Sequence, residues 1–172
     1  MVFSKGYHPM PKVSFASALP VGTESLHEVL DIEFYETIPV SKLKNRLNRQ
    51  LPDGLRVNII EDIGLADHGR TLIESHFQVK VNGLKIDETY INKFLDSENF
   101  PVIKNSKKGN RVVNARSLVK DITYIPPKTL FLVMKHISGP EIKPIQIIQK
   151  IFHLKDRNME KIKILKTKQV MG

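Results

Sequence analysis

The chain has 172 residues and a formal charge of +9, with 27 Lys and Arg against 18 Asp and Glu, the size of one ordinary domain or two small ones. Hydrophobic residues at 41% and charged residues at 26% mark a globular chain and exclude a disordered tail. There is no cysteine, which excludes disulfide scaffolds, zinc ribbons, thiolate nucleophiles and any iron–sulfur cluster held by this chain itself.

No apolar run approaches the roughly 20 residues that span a bilayer. The first twelve residues lack the apolar core of a signal peptide. The expectation is a cytoplasmic protein with no membrane contact. Residues 1–86 balance 10 basic against 10 acidic side chains, whereas residues 87–172 carry 17 against 8. All of the excess charge therefore lies in the second half, where it suits an anionic partner such as RNA. Twenty of the basic residues are lysines, and solvated lysines on ordinary surface would give the same count.

In chain order, Gly6-Tyr7-His8-Pro9-Met10-Pro11 cannot be helical, because proline removes donors and restricts its neighbours. Residues 12–16 suit a short strand. Leu30, Ile32 and Phe34 alternate with Asp31 and Glu33, the period of a half-buried strand. Val40, Leu43, Leu47 and Leu51 share one helical face, and Pro52-Asp53-Gly54 stops that helix. Residues 55–60 read as a strand and residues 64–70 as a loop. Phe77, Val79 and Val81 alternate in a further strand. Asp87 caps a helix bearing Tyr90, Ile91, Phe94 and Leu95. Residues 102–104 and 111–113 flank a polar turn as a hairpin. The apolar run 130–134 is a central strand, Pro144 opens a helix, and Ile162 and Ile164 lie on a last strand.

With its hairpin counted as one element, the second half thus reads β-α-β-β-α-β, the order of a ferredoxin-like split βαβ unit. The first half reads β-β-α-β, the same order without its opening strand and helix. The expected fold class is α+β: two tandem ferredoxin-like (split βαβ) sandwiches, the first lacking its opening βα. The expected domains are residues 1–64, an incomplete unit carrying the Gly-Tyr-His-Pro segment, and residues 72–168, a second, basic unit. An incomplete sandwich leaves an edge and a face uncovered, so the first unit needs a partner or an upstream segment.

The run Phe3-Ser4-Lys5-Gly6-Tyr7-His8-Pro9-Met10-Pro11-Lys12-Val13-Ser14-Phe15-Ala16-Ser17-Ala18-Leu19-Pro20-Val21-Gly22-Thr23-Glu24-Ser25 resembles the radical-SAM-linked family. These are bacterial domains of unknown function found fused to, or encoded beside, radical SAM proteins. The resemblance continues through Leu30-Asp31-Ile32, residues 47–55, residues 111–119 and the Pro144 helix. Three departures stand out: the family's opening strand and helix are absent, Met10 replaces a frequent second histidine, and Asn114 replaces a usual aspartate. The resemblance implies a context and not a reaction.

His8, Lys12 and Ser14, with Gly6 and Tyr7, form the most motif-like cluster. They suit a phosphate or other anion beside backbone amides, or simply a constrained lead into the sheet. Lys107, Lys108, Arg111 and Arg116 are a basic cluster able to grip a phosphate backbone; a solvated hairpin tip is the plain alternative. Aromatics at 7% leave little for base stacking. Lys161, Lys163, Lys166 and Lys168 read as charges protecting a strand edge. Asp31 and Glu33 read as a strand's solvent face more than as an acid/base pair. No histidine spacing suits a metal, and no nucleotide-cradling or acyl-transfer motif is present.

The expectation is therefore an accessory domain without a cofactor and not catalytic in itself. It docks a radical SAM protein, in trans or as a lost fusion partner, or presents that enzyme's substrate. The alternative is an RNA-binding module acting on tRNA or rRNA backbone through the basic C-terminal half.

Overall fold

A computed structural model describes residues 1–64, 71–106, 109–139 and 141–172. It has mixed α+β architecture and divides into two compact units, Met1–Phe15 with Leu30–Arg70, and Ala16–Val29 with Thr71–Gly172.

In the first unit, β1 (Val13–Phe15) pairs antiparallel with β3 (Leu30–Ile32), placing Ser14 opposite Asp31. Helix α1 (Val40–Gln50) follows, with the apolar face its spacing predicts, yet none of its residues is buried. Residues 55–60 do not form a ladder. Their backbone is held instead by the Asn48 side chain, which donates to Val57 O at 3.0 Å and accepts from Val57 N at 2.7 Å. The expected first sandwich thus amounts to a two-stranded ladder and one helix among the described residues.

Between β1 and β3 the chain leaves this unit and adds β2 (Thr23–Ser25) to the second. There β2 runs parallel to β9 (Ile162–Met171), at the edge of a five-stranded sheet of order β2-β9-β4-β8-β7. Strands β4 (Leu72–Val81), β7 (Val119–Ile125) and β8 (Thr129–Lys135) complete it, and their mutual ladders and that of β4 with β9 are antiparallel. Helix α2 (Glu88–Asp96) is capped by Asp87, which accepts from Thr89 N at 2.9 Å. Helix α4 (Pro144–Ile151) starts at its proline and buries Ile147, Ile148 and Ile151. These side chains pack with Phe94, Val79, Leu130 and Leu132 into one core, so a single apolar cluster joins the helices to one face of the sheet.

The hairpin expected within that sheet stands apart as its own ladder, β5 (Pro101–Ser106) with β6 (Gly109–Asn114). The sheet position is taken by β7, whose alternation is broken by a register shift between Val119 and Asp121. A bulge places two residues opposite one and resets which side chains face inward. The short helix α3 (Ala115–Leu118) joins β6 to β7, with Asn114 at its N-cap. No helix among the described residues is long and apolar enough to cross a membrane.

Candidate functional site

Residues 2–12 fold back on themselves through a bridge between Phe3 and Pro11, with Ser4 N donating to Met10 O at 2.8 Å. Gly6, at φ +145°, lies in the reversal, a backbone conformation that side-chain-bearing residues rarely adopt. Tyr7 is 95% exposed, with its ring edge-on to that of His8 at 5.1 Å. Lys12 Nζ lies 2.9 Å from Glu33 Oε2, so the cation expected at an anion site has a carboxylate neighbour on the surface. Ser14 is exposed on β1. The five residues of the Gly-Tyr-His-Pro cluster therefore share one short segment, all on the surface.

Of the basic cluster, Lys107 and Lys108 lie outside the described residues. Arg111 is exposed on β6 directly opposite Lys104. Arg116 is committed locally: Nε donates to Leu95 O at 3.0 Å, Nη1 donates to Val119 O at 2.8 Å, and the guanidinium lies over the Phe94 ring. Its two carbonyl contacts tie α2 to the start of β7.

The first unit has no buried residue among those described. Phe3, Tyr7, Met10, Phe15, Leu30, Tyr35, Leu55 and Ile59 are all exposed there, Phe15 at 58% and Ile59 at 76%. Apolar exposure on this scale is the feature of protein-binding surfaces.

A different kind of site lies wholly within the second unit. Lys166, expected at a strand edge, is 1% exposed, and β9 is not an edge because β2 flanks it. Its parity with Ile162 and Ile164 directs it to the core face. Lys166 Nζ faces Glu28 Oε1 at 2.9 Å and donates to Ser17 Oγ at 3.1 Å. Gln169, also buried, donates through Nε2 to the same Ser17 Oγ at 3.0 Å and accepts from Val29 N at 2.8 Å. Burying a cation needs both an opposite charge and hydrogen bonds, and the segment 16–29 supplies them.

Beside this ion pair, Ser75 is fully buried on β4. Its Oγ lies 2.8 Å from His136 Nε2, and His136 Nδ1 lies 3.6 Å from Glu141 Oε1. Burial holds the His136 imidazole below its ordinary range; Glu141 opposes that shift and the Lys166 charge adds to it. Ser17, Ser75, His136, Glu141 and Lys166 all line one cavity of about 50 Å³, with apolar walls that include Phe77 and Met134.

Sequence spacing could not join Ser75 to His136, which are 61 residues apart. One signal was present: the alternation of Phe77, Val79 and Val81, extended back two residues, puts Ser75 on the core face.

No curated protein and no solved structure matches the chain. A family profile does match, over residues 1–144. The chain belongs to the family described as an uncharacterized protein conserved in bacteria (DUF2344).

Proposed function

We propose that this chain is an accessory domain that docks a radical SAM enzyme through the apolar surface of its first unit. The observation that supports the reading is that unit's lack of any buried side chain among its described residues. Ordering a backbone costs about 1–2 kcal/mol per residue, and half-exposed Leu43, Leu47, Ile32 and Phe34 recover little of it. A partner surface that buries Phe3, Phe15 and Leu30 would supply the missing core. The radical SAM identity of the partner rests on the resemblance carried by residues 3–25. A radical SAM cluster is held by cysteines, and this chain has none, so that chemistry belongs to the partner. Titration of the full chain into the enzyme tests the docking: apolar contact predicts an affinity that high salt leaves unchanged, and a steep loss with salt contradicts it.

RNA binding is the second reading, favoured by two like-charged pairs directly opposite one another in ladders. Lys104 faces Arg111 across β5 and β6, and Lys80 faces Lys163 across β4 and β9. Like charges so placed repel, and none of the four has an ion-pair partner among the described residues. A bound phosphate backbone would relieve both pairs. Binding of a tRNA transcript, with a salt slope that falls by about one for each lysine or arginine removed, is the test.

A further inference from the structure

The cavity of the second unit combines a buried hydroxyl, a base and a buried cation. We propose that it is an acyl-transfer site for small esters or thioesters, with Ser75 as nucleophile, His136 as its base and Lys166 as donor to the carbonyl oxygen. This goes beyond the docking reading and does not depend on it.

The protonation pattern follows from the neighbours. Glu141 faces Nδ1 and so favours the tautomer that carries its hydrogen there. Nε2 is left with a lone pair directed at the Ser75 hydroxyl 2.8 Å away, the contact through which a base activates a serine. Burial keeps the imidazole neutral, so the base form is present at neutral pH. When the imidazole takes up the proton, Glu141 stabilises the resulting charge. The other charges around it are Lys166, compensated by Glu28, and Lys135 on the cavity wall.

Lys166 has three N–H donors. The ammonium is ion-paired with Glu28 and one N–H donates to Ser17, which leaves donor capacity without a hydrogen-bond partner among the described residues. Because Glu28 already balances the charge, a neutral carbonyl suits the site better than an anion. The spare donor gains strength as negative charge develops on the oxygen, which is the electrostatic contribution a transition state needs. At about 30 Å³ per water, a cavity of about 50 Å³ has room for fewer than two, so the acyl group is of formyl or acetyl size. The leaving group stays at the rim, where Glu141 and Ile137 are exposed.

The step balances within these groups. Ser75 Oγ bonds the carbonyl carbon while its proton passes to Nε2. The bond to the leaving oxygen or sulfur then breaks, and that atom takes the proton from Nε2. Water repeats the sequence on the acyl-serine, releasing the carboxylic acid and restoring the hydroxyl.

The test is reaction of the full chain with p-nitrophenyl acetate, followed by release of nitrophenolate and by peptide mass mapping. Expected are an acetyl group on the Ser75 peptide and a rate reduced about 100-fold or more in Ser75→Ala and His136→Gln, the usual scale for losing an acid–base group. Acetylation confined to lysine amines, at equal rates in all three proteins, would overturn the proposal. Ser75→Cys is the second variant, since the chain has no other thiol. It is expected to react with iodoacetamide while folded; a thiol that reacts only in denaturant would show the cavity closed to reagents and overturn it equally.

Discussion

Lys166 and Glu28 form an ion pair at 2.9 Å in which the lysine is almost completely buried, and it joins β9 to a segment that leaves the first unit to reach it. With Leu26 N donating to Lys166 O at 2.9 Å, the pair fixes residues 16–29 against the sheet. Removing one partner strands a buried charge. Glu28→Ala is expected to destabilise the second unit by about 3 kcal/mol, the lower end for such a loss because Glu28 is partly exposed. Replacing both, as Glu28→Gln with Lys166→Met, should cost much less, and chemical denaturation of the two variants checks the order.

Asn114 holds the junction of β6 and α3. Its Oδ1 accepts from Phe100 N at 2.9 Å and Arg116 N at 3.0 Å, while Nδ2 donates to Glu98 O at 3.1 Å. Asn114→Ala should lower stability by about 1–2 kcal/mol, as the loss of a cap does. Asn114→Asp keeps the acceptor and loses only the donor, so thermal unfolding should place it between the other two proteins.

Arg116 and Arg111 separate a structural role from an RNA role. Arg116→Ala frees two backbone carbonyls and should lower the unfolding midpoint. Arg111→Glu, on an exposed strand, should leave the stability within about 0.5 kcal/mol of the parent. If RNA is bound through this hairpin, only Arg111→Glu weakens binding in proportion to salt sensitivity.

The pH dependence has a defined sign. His136 has a depressed value when folded, so the unfolded chain binds its proton first and stability falls as pH drops below the ordinary imidazole value of 6.5. The loss ends once pH has passed below the folded value. Glu74, held low by its hydrogen bond from Lys120, and Asp87, held low by Thr89, contribute stability that is lost only as pH falls through their own lowered values. His136→Gln should therefore flatten the unfolding midpoint between about pH 5 and pH 7, the imidazole range, and leave the acid limb in place.

Elements whose periodicity is unbroken were legible in the sequence. The Asp87-capped helix, the strand through Phe77, Val79 and Val81, the apolar run at 130–134 and the Pro144 helix all stand where the pattern puts them. What failed has physical causes. The bulge after Val119 hid β7, and a side chain, Asn48, replaced the ladder expected at residues 55–60. The excursion of residues 16–29 is a long-range pairing of Thr23–Ser25 with residues 164–166, which no local pattern announces. Lys166 departs from expectation for a different reason: its charge suggests surface, although its parity with Ile164 places it inward. The Ser75–His136 contact depends on the register of β4 against β8 and the turn beyond it, information that exists only once the sheet has formed.

Capture from a native lysate with tagged chain decides whether the first unit docks an enzyme. Parent protein and a Phe3→Asp, Phe15→Asp double variant would be compared, each with and without ribonuclease. Docking predicts that a radical SAM enzyme stays with the parent after ribonuclease and is lost from the variant, whose own folding is unchanged because both rings are exposed. Equal retention by the two proteins, or an enzyme released by ribonuclease, would contradict it.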